Sequence, residues 1–419
     1  MGPGPRLLLL LPSTTYRAAA FVEAARRLDV ELTVASDHRN VFAGRQPDDL
    51  VTFDFAHPER AAEQALAFAA QHQVAAVVGV DDDTTVLAAI MSERLGLPHN
   101  PVAATRAARD KHRQRALLRA AGCPVPDFRL HRLDENPRTV ARGATYPAVL
   151  KPLCLSASRG VMRADSPEDF VAAHGVLREI LAEPETAARG EESAQYLVES
   201  FVPGAEYALE GVLVDGRLRV LALFDKPDPL DGPCFEETIY VTPSGLDGAA
   251  QRSLADCAAR AARALGLATG PVHVELRHNQ DGPWLIELGA RPIGGRCSAV
   301  LRFGDGPEQM ALEELLLRQA LGLPVPTWER TAGAAGVMMV PVPGAGVLRA
   351  VRGVEAARGV PGVEDVVITA HVGQTLVPPP RGARYPGFIF ARGDSAADVT
   401  SALRRAHACL AFDLSTGRD

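Results

Sequence analysis

The amino-acid sequence predicts a mixed α/β and α+β protein of several domains, and three patterns support this fold class. Residues from Arg6 to about Thr105 alternate between apolar strand-like runs and Ala-rich amphipathic stretches, which is typical of a parallel sheet covered by helices. Residues 272–288 hold two short apolar runs around a polar, Gly-ended turn, which predicts an antiparallel hairpin. From about Ala332 onward, short strand-like runs alternate with many Gly and Pro residues before a last helix at Ala396–Ala411, as in a small α+β domain.

Length and composition exclude several classes of protein. At 419 residues the chain is too long for one ordinary domain, and we expect about two to four. The hydrophobic content of 47% is that of a globular protein with a full core. The net charge is −7 and the basic residues form no stripe, which argues against nucleic acid as a partner. The six scattered cysteines lack the CxxC spacing of zinc sites and predict reduced thiols in a cytoplasmic protein.

The first apolar run, Leu7–Leu11, predicts a buried strand. Pro12 follows it at once, so the run is far too short to span a membrane. A signal peptide needs a longer apolar core and a small-residue cleavage site, and both are missing. We therefore expect no membrane partner.

The predicted parallel sheet places polar residues after its strands, where ligands bind in such sheets. Ser13-Thr14-Thr15 follows the first strand, and Asp81-Asp82-Asp83 follows the strand at Ala75–Val80. The first segment lacks GxGxxG, so a dinucleotide site is not supported. The three aspartates are open to three interpretations: a metal cluster, a substrate contact or, as we favour, a strand end with an N-cap at Asp83. Helices are predicted at Arg17–Leu28, Pro58–Gln71 and Thr84–Leu95, and another strand at Glu31–Ser36.

The middle of the chain carries two lysines ahead of a small-residue loop. A predicted helix at Thr105–Ala121 contains Lys111, and a short predicted strand at Tyr146–Pro152 contains Lys151 near its end. The loop that follows, Leu155–Val161, is of the sort that can fold over phosphates. Taken singly, Lys111 and Arg115 are better interpreted as a solvated helix face. Lys226, Glu236 and Glu237, in a later Pro- and Gly-rich stretch, are better interpreted as loop surface.

The predicted hairpin places one glutamate on each strand. Val272–Leu276 carries Glu275 and Pro283–Leu288 carries Glu287, and antiparallel pairing lets both carboxylates share a face. Such carboxylates suit Mg²⁺, a hard cation that binds a few carboxylates plus substrate phosphates. Arg291 and the Gly294-Gly295 loop follow and could hold an anion through guanidinium and backbone N–H groups. The alternative, a surface hairpin with two solvated glutamates, is equally supported by this stretch alone. His273 shares a face with Glu275, either as a core histidine or as a substrate contact.

Taken in order, these residues provide what an ATP site requires. The lysines offset phosphate charge, the loop donates N–H bonds, the carboxylates place Mg²⁺, and Arg291 faces charge that develops during transfer. The ordered set resembles the ATP-grasp superfamily, whose members mostly join a carboxylate to an amine through an acyl-phosphate. Asp110-Lys111, Tyr146–Pro152, Val198–Val202, Gly204-Ala205-Glu206 and Glu287-Leu288-Gly289-Ala290-Arg291 carry the resemblance.

The resemblance implies a role for each residue of the set. Lys111 and Lys151 would contact ATP phosphates, with Lys151 and Arg291 also assisting catalysis. The loop would contribute Ser156, Ser158 and Gly160. Glu199, Phe201 and Val202 would form the hinge that reads adenine, and Glu206 would bind ribose. Glu275 and Glu287 would hold Mg²⁺, with Mn²⁺ as an alternative ion. Substrate contacts would come from His273, Arg291, Gly294 and Gly295.

The resemblance also implies a division of the chain into three domains. Residues 1–105 would form an N-terminal α/β domain and residues 106–330 the ATP-grasp domain, with a lid at about 125–205 and an antiparallel catalytic part. Residues 331–419 would form the C-terminal α+β domain.

This chain departs from the family at two positions, one in the E-x-N-x-R motif and one in the glycine-rich phosphate loop. Gly289 stands where the family has an asparagine ligand. The phosphate loop holds Arg159 ahead of Gly160, either as a further phosphate contact or as a solvated side chain.

The sequence therefore predicts an ATP-dependent carboxylate–amine ligase that releases ADP and phosphate. The segments around Gly289 and Lys226 look most like amino-acid and dipeptide ligases, including carnosine-synthase-like enzymes. The expected substrates are a small carboxylate and a small amine, with amino acids as the expected class, and a homodimer is one option. The alternatives are a carboxylase or purine-pathway-type ligase that uses bicarbonate or formate, and a non-catalytic nucleotide-binding regulatory protein.

Overall fold

The computed structural model describes residues 6–12, 18–38, 49–153 and 155–415, and it begins with a parallel sheet. The strand order is β3-β2-β1-β4, with every pair parallel. Apolar clusters cover both faces of this sheet, as the strand–helix alternation predicts. Ser13-Thr14-Thr15 lies outside the described residues. The elements of this region are β1 Arg6–Leu10, α1 Ala18–Arg27, β2 Glu31–Ser36, β3 Leu50–Thr52, α2 Pro58–Ala69, β4 Val74–Gly79 and α3 Asp82–Leu95.

The aspartate triplet begins α3, but the predicted cap at Asp83 is wrong. The N-cap residue is Asp81, whose backbone N–H donates to the Thr84 hydroxyl at 3.2 Å. Asp82 is therefore the first helical residue, and its side chain lies at the carboxyl end of the sheet. This placement brings Asp82 into the cavity described below.

Two helices replace the single one predicted at Thr105–Ala121. The helices are α4 Val102–Arg109 and α5 Lys111–Ala120. Asp110 between them has an extended backbone, and its carboxylate accepts a hydrogen bond from the Arg113 N–H at 2.9 Å. Because this cap starts α5 anew, Lys111 becomes its first residue.

A four-stranded sheet follows, in the order β5-β8-β6-β7. Its apolar face packs against α7 around the buried side chains of Phe170, Leu177 and Tyr196. The elements are β5 Phe128–Arg132, α6 Pro137–Gly143, β6 Ala148–Pro152, β7 Met162–Ala164, α7 Pro167–Leu181, α8 Pro184–Ala187 and β8 Gln195–Ser200.

The largest sheet has eight strands, in the order β13-β12-β9-β10-β11-β16-β20-β18. Apolar clusters lie against it, one of them around α9. The elements up to residue 320 are β9 Ala205–Val214, β10 Arg217–Asp225, β11 Ile239–Thr242, α9 Gly248–Leu265, β12 Gly270–Asn279, β13 Gly282–Gly289, β14 Arg302–Phe303, β15 Met310–Ala311 and α10 Leu312–Ala320.

The C-terminal part extends this sheet and adds a small one. The antiparallel pairing of β11 with β16 joins Tyr240 to Val337, so one sheet runs across residue 331, where the sequence predicts a domain boundary. The three-domain division itself stays a prediction. The elements are β16 Ala334–Met339, β17 Gly346–Arg352, α11 Val354–Arg358, β18 Val363–Ile368, β19 Thr375–Leu376, β20 Gly387–Gly393, α12 Ala396–Cys409 and β21 Ala411–Ser415.

Parallel and antiparallel sheets thus occur together, which confirms the predicted fold class. Within the described ranges, no helix has both the length and the apolar character needed to cross a membrane.

Candidate active site

One cavity of about 840 Å³ lies where the N-terminal sheet, the four-stranded sheet and the eight-stranded sheet meet. All but one of the predicted site residues line it. They are Lys111, Lys151, Ser156, Ser158, Glu199, Phe201, Val202, Glu206, His273, Glu275, Glu287, Arg291, Gly294 and Gly295.

Gly160 is the exception, and its assignment is corrected by its contacts. Its N–H donates to the Pro380 carbonyl at 2.8 Å and is therefore not available to a phosphate. Neither alternative for Arg159 holds, because it pairs with Glu183 and donates to the Arg381 carbonyl. The loop thus rests on the C-terminal part, while Ser156 and Ser158 face the cavity.

Lys111 is held at the cavity wall by two acceptors. Its Nζ lies 2.9 Å from the Leu155 carbonyl oxygen and 3.1 Å from Glu287 Oε1. The side chain is only 13% exposed, so the interpretation as a solvated helix face is wrong. The cap at Asp110 explains this placement, because it starts the helix at Lys111.

Lys151, Glu199 and Arg115 form a buried ion triad. Glu199 Oε2 lies 2.8 Å from Lys151 Nζ, and Glu199 Oε1 lies 2.6 Å from Arg115 Nε. Burial alone would raise the pKa of Glu199, but the two cations outweigh it and lower the pKa to about 2. Arg115 was not predicted as a site residue, although its i,i+4 spacing from Lys111 places both on one helix face.

The hinge after Glu199 is held by backbone hydrogen bonds and by contacts with one aromatic ring. The Phe201 N–H donates to the Pro147 carbonyl at 2.9 Å, and the Val202 carbonyl accepts from Arg277 Nη1 at 2.8 Å. The guanidinium carbons of Arg163 and Arg277 lie 4.2 Å and 4.9 Å from the centre of the Phe201 ring. These contacts fix the hinge against the neighbouring strands.

The two predicted metal-binding glutamates are direct cross-strand partners, Glu275 on β12 and Glu287 on β13. The alternative of a surface hairpin with two solvated glutamates is wrong for Glu275, which lies on the inner strand β12 and is 22% exposed. Glu287 lies on the edge strand β13 and is 39% exposed, but its carboxylate pairs with Lys111 at the cavity wall. Burial alone would raise the pKa of Glu287, but Lys111 and Lys151 lower it. Two carboxylates on one cavity wall are hard oxygen donors, and this donor set fits Mg²⁺.

Arg291 is oriented by a carboxylate from the N-terminal region. Its Nε lies 2.8 Å from Asp82 Oδ2, and its Nη1 donates to the Pro292 carbonyl at 3.0 Å. Burial would raise the pKa of Asp82, but Arg291 outweighs this and lowers it. A Cβ added at Gly289 would lie 3.3 Å from Arg291 Cγ and 3.6 Å from Asp82 Oδ1, so the missing side chain leaves room for this pair.

Lys226 is the residue that the sequence interpretation missed most completely. Its side chain is 3% exposed, and its Nζ lies 2.8 Å from Glu206 Oε1, 2.7 Å from Glu237 Oε1 and 3.4 Å from Glu275 Oε1. Burial would lower the pKa of Lys226, but the three carboxylates raise it well above its usual value. The prediction of loop surface is therefore wrong for Lys226 and Glu237, which pair with each other at 3% and 17% side-chain exposure. Glu236 is half-buried and accepts a hydrogen bond from the Val342 N–H.

His273 lies between two carboxylates at the cavity wall. Its Nδ1 is 3.6 Å from Glu210 Oε2 and its Nε2 is 3.6 Å from Glu275 Oε1. Burial is the main cause that lowers the pKa of His273. The residue is 6% exposed and lines the cavity, so it is a buried histidine at the cavity wall, and the substrate contact stays a prediction.

The C-terminal part supplies one cavity wall that the sequence did not reveal. Gly295 lies directly against Met339, because an added Cβ would lie 2.4 Å from the methionine sulfur. No motif marks the residues of this wall, which come mostly from loops; they are Met339, Thr369, His371, Gln374, Ala383, Arg384, Tyr385 and Phe388.

Comparison with known proteins places this geometry in a family. Residues 144–300 match the model of an ATP-grasp domain, residues 22–99 that of an ATP-grasp N-terminal domain, and residues 338–415 that of an L-amino acid ligase C-terminal domain 2. The chain belongs to the ATP-grasp superfamily. This confirms the resemblance inferred from the ordered lysines, glutamates and arginine.

Two relatives of the chain are named as a synthase and a ligase. Carnosine synthase 1 from Mus musculus is 31% identical over 65% of this chain and 35% of its own length. Alanine–anticapsin ligase from Bacillus subtilis is 29% identical over 55% of this chain and 52% of its own length. The chain thus spans about a third to a half of these two relatives.

The ATP-grasp fold is also that of a solved ligase. The crystal structure of an L-amino acid ligase from Bacillus licheniformis superposes with a TM-score of 0.82, covering 99% of this chain and 100% of that one. At 23% sequence identity this likeness shows the fold alone.

Proposed function

We propose that this ATP-grasp protein is an ATP-dependent carboxylate–amine ligase that joins two small molecules, with amino acids as the substrate class. The observation that carries the proposal is the convergence of Lys111, Lys151, Glu275, Glu287 and Arg291 on one cavity. Two cations, two metal-type carboxylates and an oriented guanidinium are the groups that phosphoryl transfer requires. The names of the relatives support amino acids as substrates.

The nucleotide would lie between the hinge and the phosphate-facing lysines. Lys111 and Lys151 already stand at ion-pair distance from Glu287 and Glu199, so their charges are held in place before a phosphate arrives. Glu206 is proposed to meet the ribose, although its Oε1 and Oε2 already accept from Lys226 and Arg277. A ribose hydroxyl would share these acceptors.

Magnesium would be held by Glu275 and Glu287, and when bound it supplies positive charge that offsets the phosphate oxygens. Arg291 presents a planar guanidinium to the cavity, oriented by Asp82 at Nε and by the Pro292 carbonyl at Nη1, and a substrate carboxylate or a phosphoryl group would accept hydrogen bonds from it. The Gly294-Gly295 loop lines the adjacent wall. These residues therefore orient the acid next to the terminal phosphate.

The proposed reaction has two balanced steps. A carboxylate oxygen of the acid forms a bond to the γ-phosphorus. The bond from the γ-phosphorus to the oxygen between the β- and γ-phosphates breaks, which yields an acyl-phosphate and ADP. The amine nitrogen then forms a bond to the acyl carbon and loses a proton as the carbon–oxygen bond to phosphate breaks. The products are an amide and phosphate. Positioning and charge stabilisation provide the catalysis, so no side-chain nucleophile is needed.

Phosphate release over a matrix of amino-acid pairs tests this function. We expect release of phosphate with at least one pair, together with a new dipeptide mass. A parallel series with bicarbonate or formate and an amine separates a carboxylase or purine-pathway-type ligase. Tight Mg-ATP binding with no phosphate release in any series would contradict the ligase and favour a regulatory nucleotide-binding protein.

A thermal-shift measurement tests the proposed metal requirement. Mg-ATP should raise the melting temperature, and ATP without metal should raise it far less. The reason is that the carboxylates of Glu275 and Glu287 repel the phosphate oxygens unless a divalent ion lies between them. Equal shifts with and without Mg²⁺ would contradict the assignment of Glu275 and Glu287.

A further inference from the structure

The carboxylate cluster around Lys226 joins three separate elements through one ammonium group. Glu206 lies on β9, Glu275 on β12 and Glu237 in the segment before β11. The Lys226 backbone N–H also donates to the Glu206 carbonyl at 3.3 Å, so main chain and side chain are both fixed. Tyr240 donates its hydroxyl to Glu237 Oε1 at 2.6 Å. The ammonium is thus held in a fixed position behind the carboxylates that line the cavity, and it is not a flexible surface charge.

The three carboxylates have the spacing of a cation site. One oxygen from each of Glu206, Glu237 and Glu275 lies within 4.8 Å of the other two. Oxygens bound to one divalent ion at about 2.0–2.6 Å lie at comparable separations from one another. The group that sits among these oxygens is the Lys226 ammonium, at 2.7 Å to 3.4 Å.

We propose that Lys226 is an internal cation that occupies this carboxylate cage in place of a divalent ion. The consequence, which rests on the proposed ATP-dependent function, is that the divalent ion of the nucleotide is confined to the Glu275–Glu287 pair. Lys226 is a positioning residue, because it acts through Glu275 and does not itself line the cavity.

Charge explains why the cage needs a cation of some kind. Three carboxylates this close repel one another, and a buried carboxylate without a partner is costly. Counted formally, three carboxylates and one ammonium carry a charge of −2 and the carboxylates alone carry −3, and Arg277 pairs with Glu206 Oε2 in both cases. Removing the ammonium while keeping the carboxylates should therefore convert the cage into a site for a hard divalent ion.

Mn²⁺ binding to the nucleotide-free protein tests this inference directly. The bound ion is counted from the loss of the free Mn²⁺ signal in electron paramagnetic resonance, and its affinity is measured by calorimetry. Lys226→Met should bind one Mn²⁺ more than the wild type. Lys226→Arg keeps the positive charge and should bind no additional ion.

A double variant locates the additional ion. In Lys226→Met/Glu237→Gln, one cage oxygen loses its charge, and the additional Mn²⁺ should be lost or bound at least tenfold more weakly. A folded Lys226→Met protein with the wild-type Mn²⁺ count would overturn the inference. An additional ion that persists unchanged in the double variant would also overturn it, because the ion would then lie elsewhere.

A second measurement tests the inference even if Lys226→Met folds poorly. If Lys226→Met is unstable, Mn²⁺ should restore its melting transition, because an ion bound only by the native state stabilises that state. No effect of saturating Mn²⁺ on the melting of an unstable Lys226→Met would overturn the inference. None of these readouts uses ATP or turnover, so they can fail while the wild-type ligase assay succeeds, and the reverse also holds.

Discussion

Two groups of residues in the cavity wall are arranged in opposite ways with respect to charge. In the first group the cations Lys111, Lys151 and Arg291 line the cavity, and each pairs with a carboxylate from another element. In the second group the carboxylates line the cavity, and they pair with the Lys226 ammonium, which does not line it.

The difference between the two groups lies in the sign of the charge that faces the cavity. Cations that are already oriented favour incoming phosphate without reorganisation at the moment of reaction. Carboxylates grouped around the Lys226 ammonium keep a net negative charge, and the ammonium takes the place of a divalent ion among them. Substitutions that remove a charged group facing the cavity should therefore have larger effects than substitutions that remove only the group paired with it.

The largest effect is expected at Arg291, which faces the cavity. Arg291→Lys keeps the charge but loses the planar fork, so turnover should fall by about 10²–10³-fold while ADP affinity is largely retained. Steady-state kinetics and ADP calorimetry measure the two quantities. Asp82→Asn removes only the group that holds Arg291 and should cost less turnover. Near-normal rates in Arg291→Lys would remove it from the catalytic set.

A smaller effect is expected at Lys151, measured as nucleotide affinity. Lys151→Ala should weaken ATP binding by about 1–3 kcal/mol, the range for loss of a charge-assisted bond. Arg132→Ala is a matched control, because Arg132 makes exposed ion pairs on the same four-stranded sheet. Unchanged ATP affinity in calorimetry for Lys151→Ala would contradict the phosphate assignment.

The buried triad predicts a specific loss of stability in acid. Glu199 has a pKa of about 2 in the folded protein, against an ordinary glutamate pKa of 4.5. A depressed folded-state pKa stabilises the protein above the unfolded-state pKa, and this contribution, about 3 kcal/mol, disappears as the pH falls from about 5 to about 2. The free energy of unfolding, measured against pH by denaturant titration, should fall over this window.

Glu199→Gln provides the control for this window. The variant should be less stable at neutral pH, because Lys151 and Arg115 lose their shared partner. Its stability should also fall less steeply between pH 5 and pH 2. Identical slopes for variant and wild type would show that Glu199 is not the group responsible.

Much of this site could be predicted from the sequence, for identifiable reasons. Lys111, Lys151, Glu275 and Glu287 lie in or beside regular elements whose spacing is visible along the chain. Lys226 could not be predicted, because its three partners come from distant positions and its own segment has no periodicity. The cavity wall from the C-terminal part was missed for a related reason, since loop residues such as those at 369–385 carry no pattern that marks a shared face.

The smallest effect is expected at Gly289, where this chain lacks the asparagine of the family pattern. The backbone there does not have a positive φ, so a side chain brings no conformational strain. An added Cβ would lie 3.3 Å from Arg291 Cγ, so Arg291 must shift by a few tenths of an ångström to admit it. Gly289→Ala should therefore change turnover only slightly.

Gly289→Asn adds an oxygen near Glu287 and should tighten the binding of Mn²⁺ in the presence of ADP by only a few-fold, because the same side chain crowds the Arg291–Asp82 pair. Mn²⁺ titrations of both variants with ADP measure this difference. Equal Mn²⁺ affinity in the two would show that the amide oxygen does not reach the ion, and a large loss of turnover in Gly289→Ala would show that the Arg291–Asp82 pair tolerates no displacement.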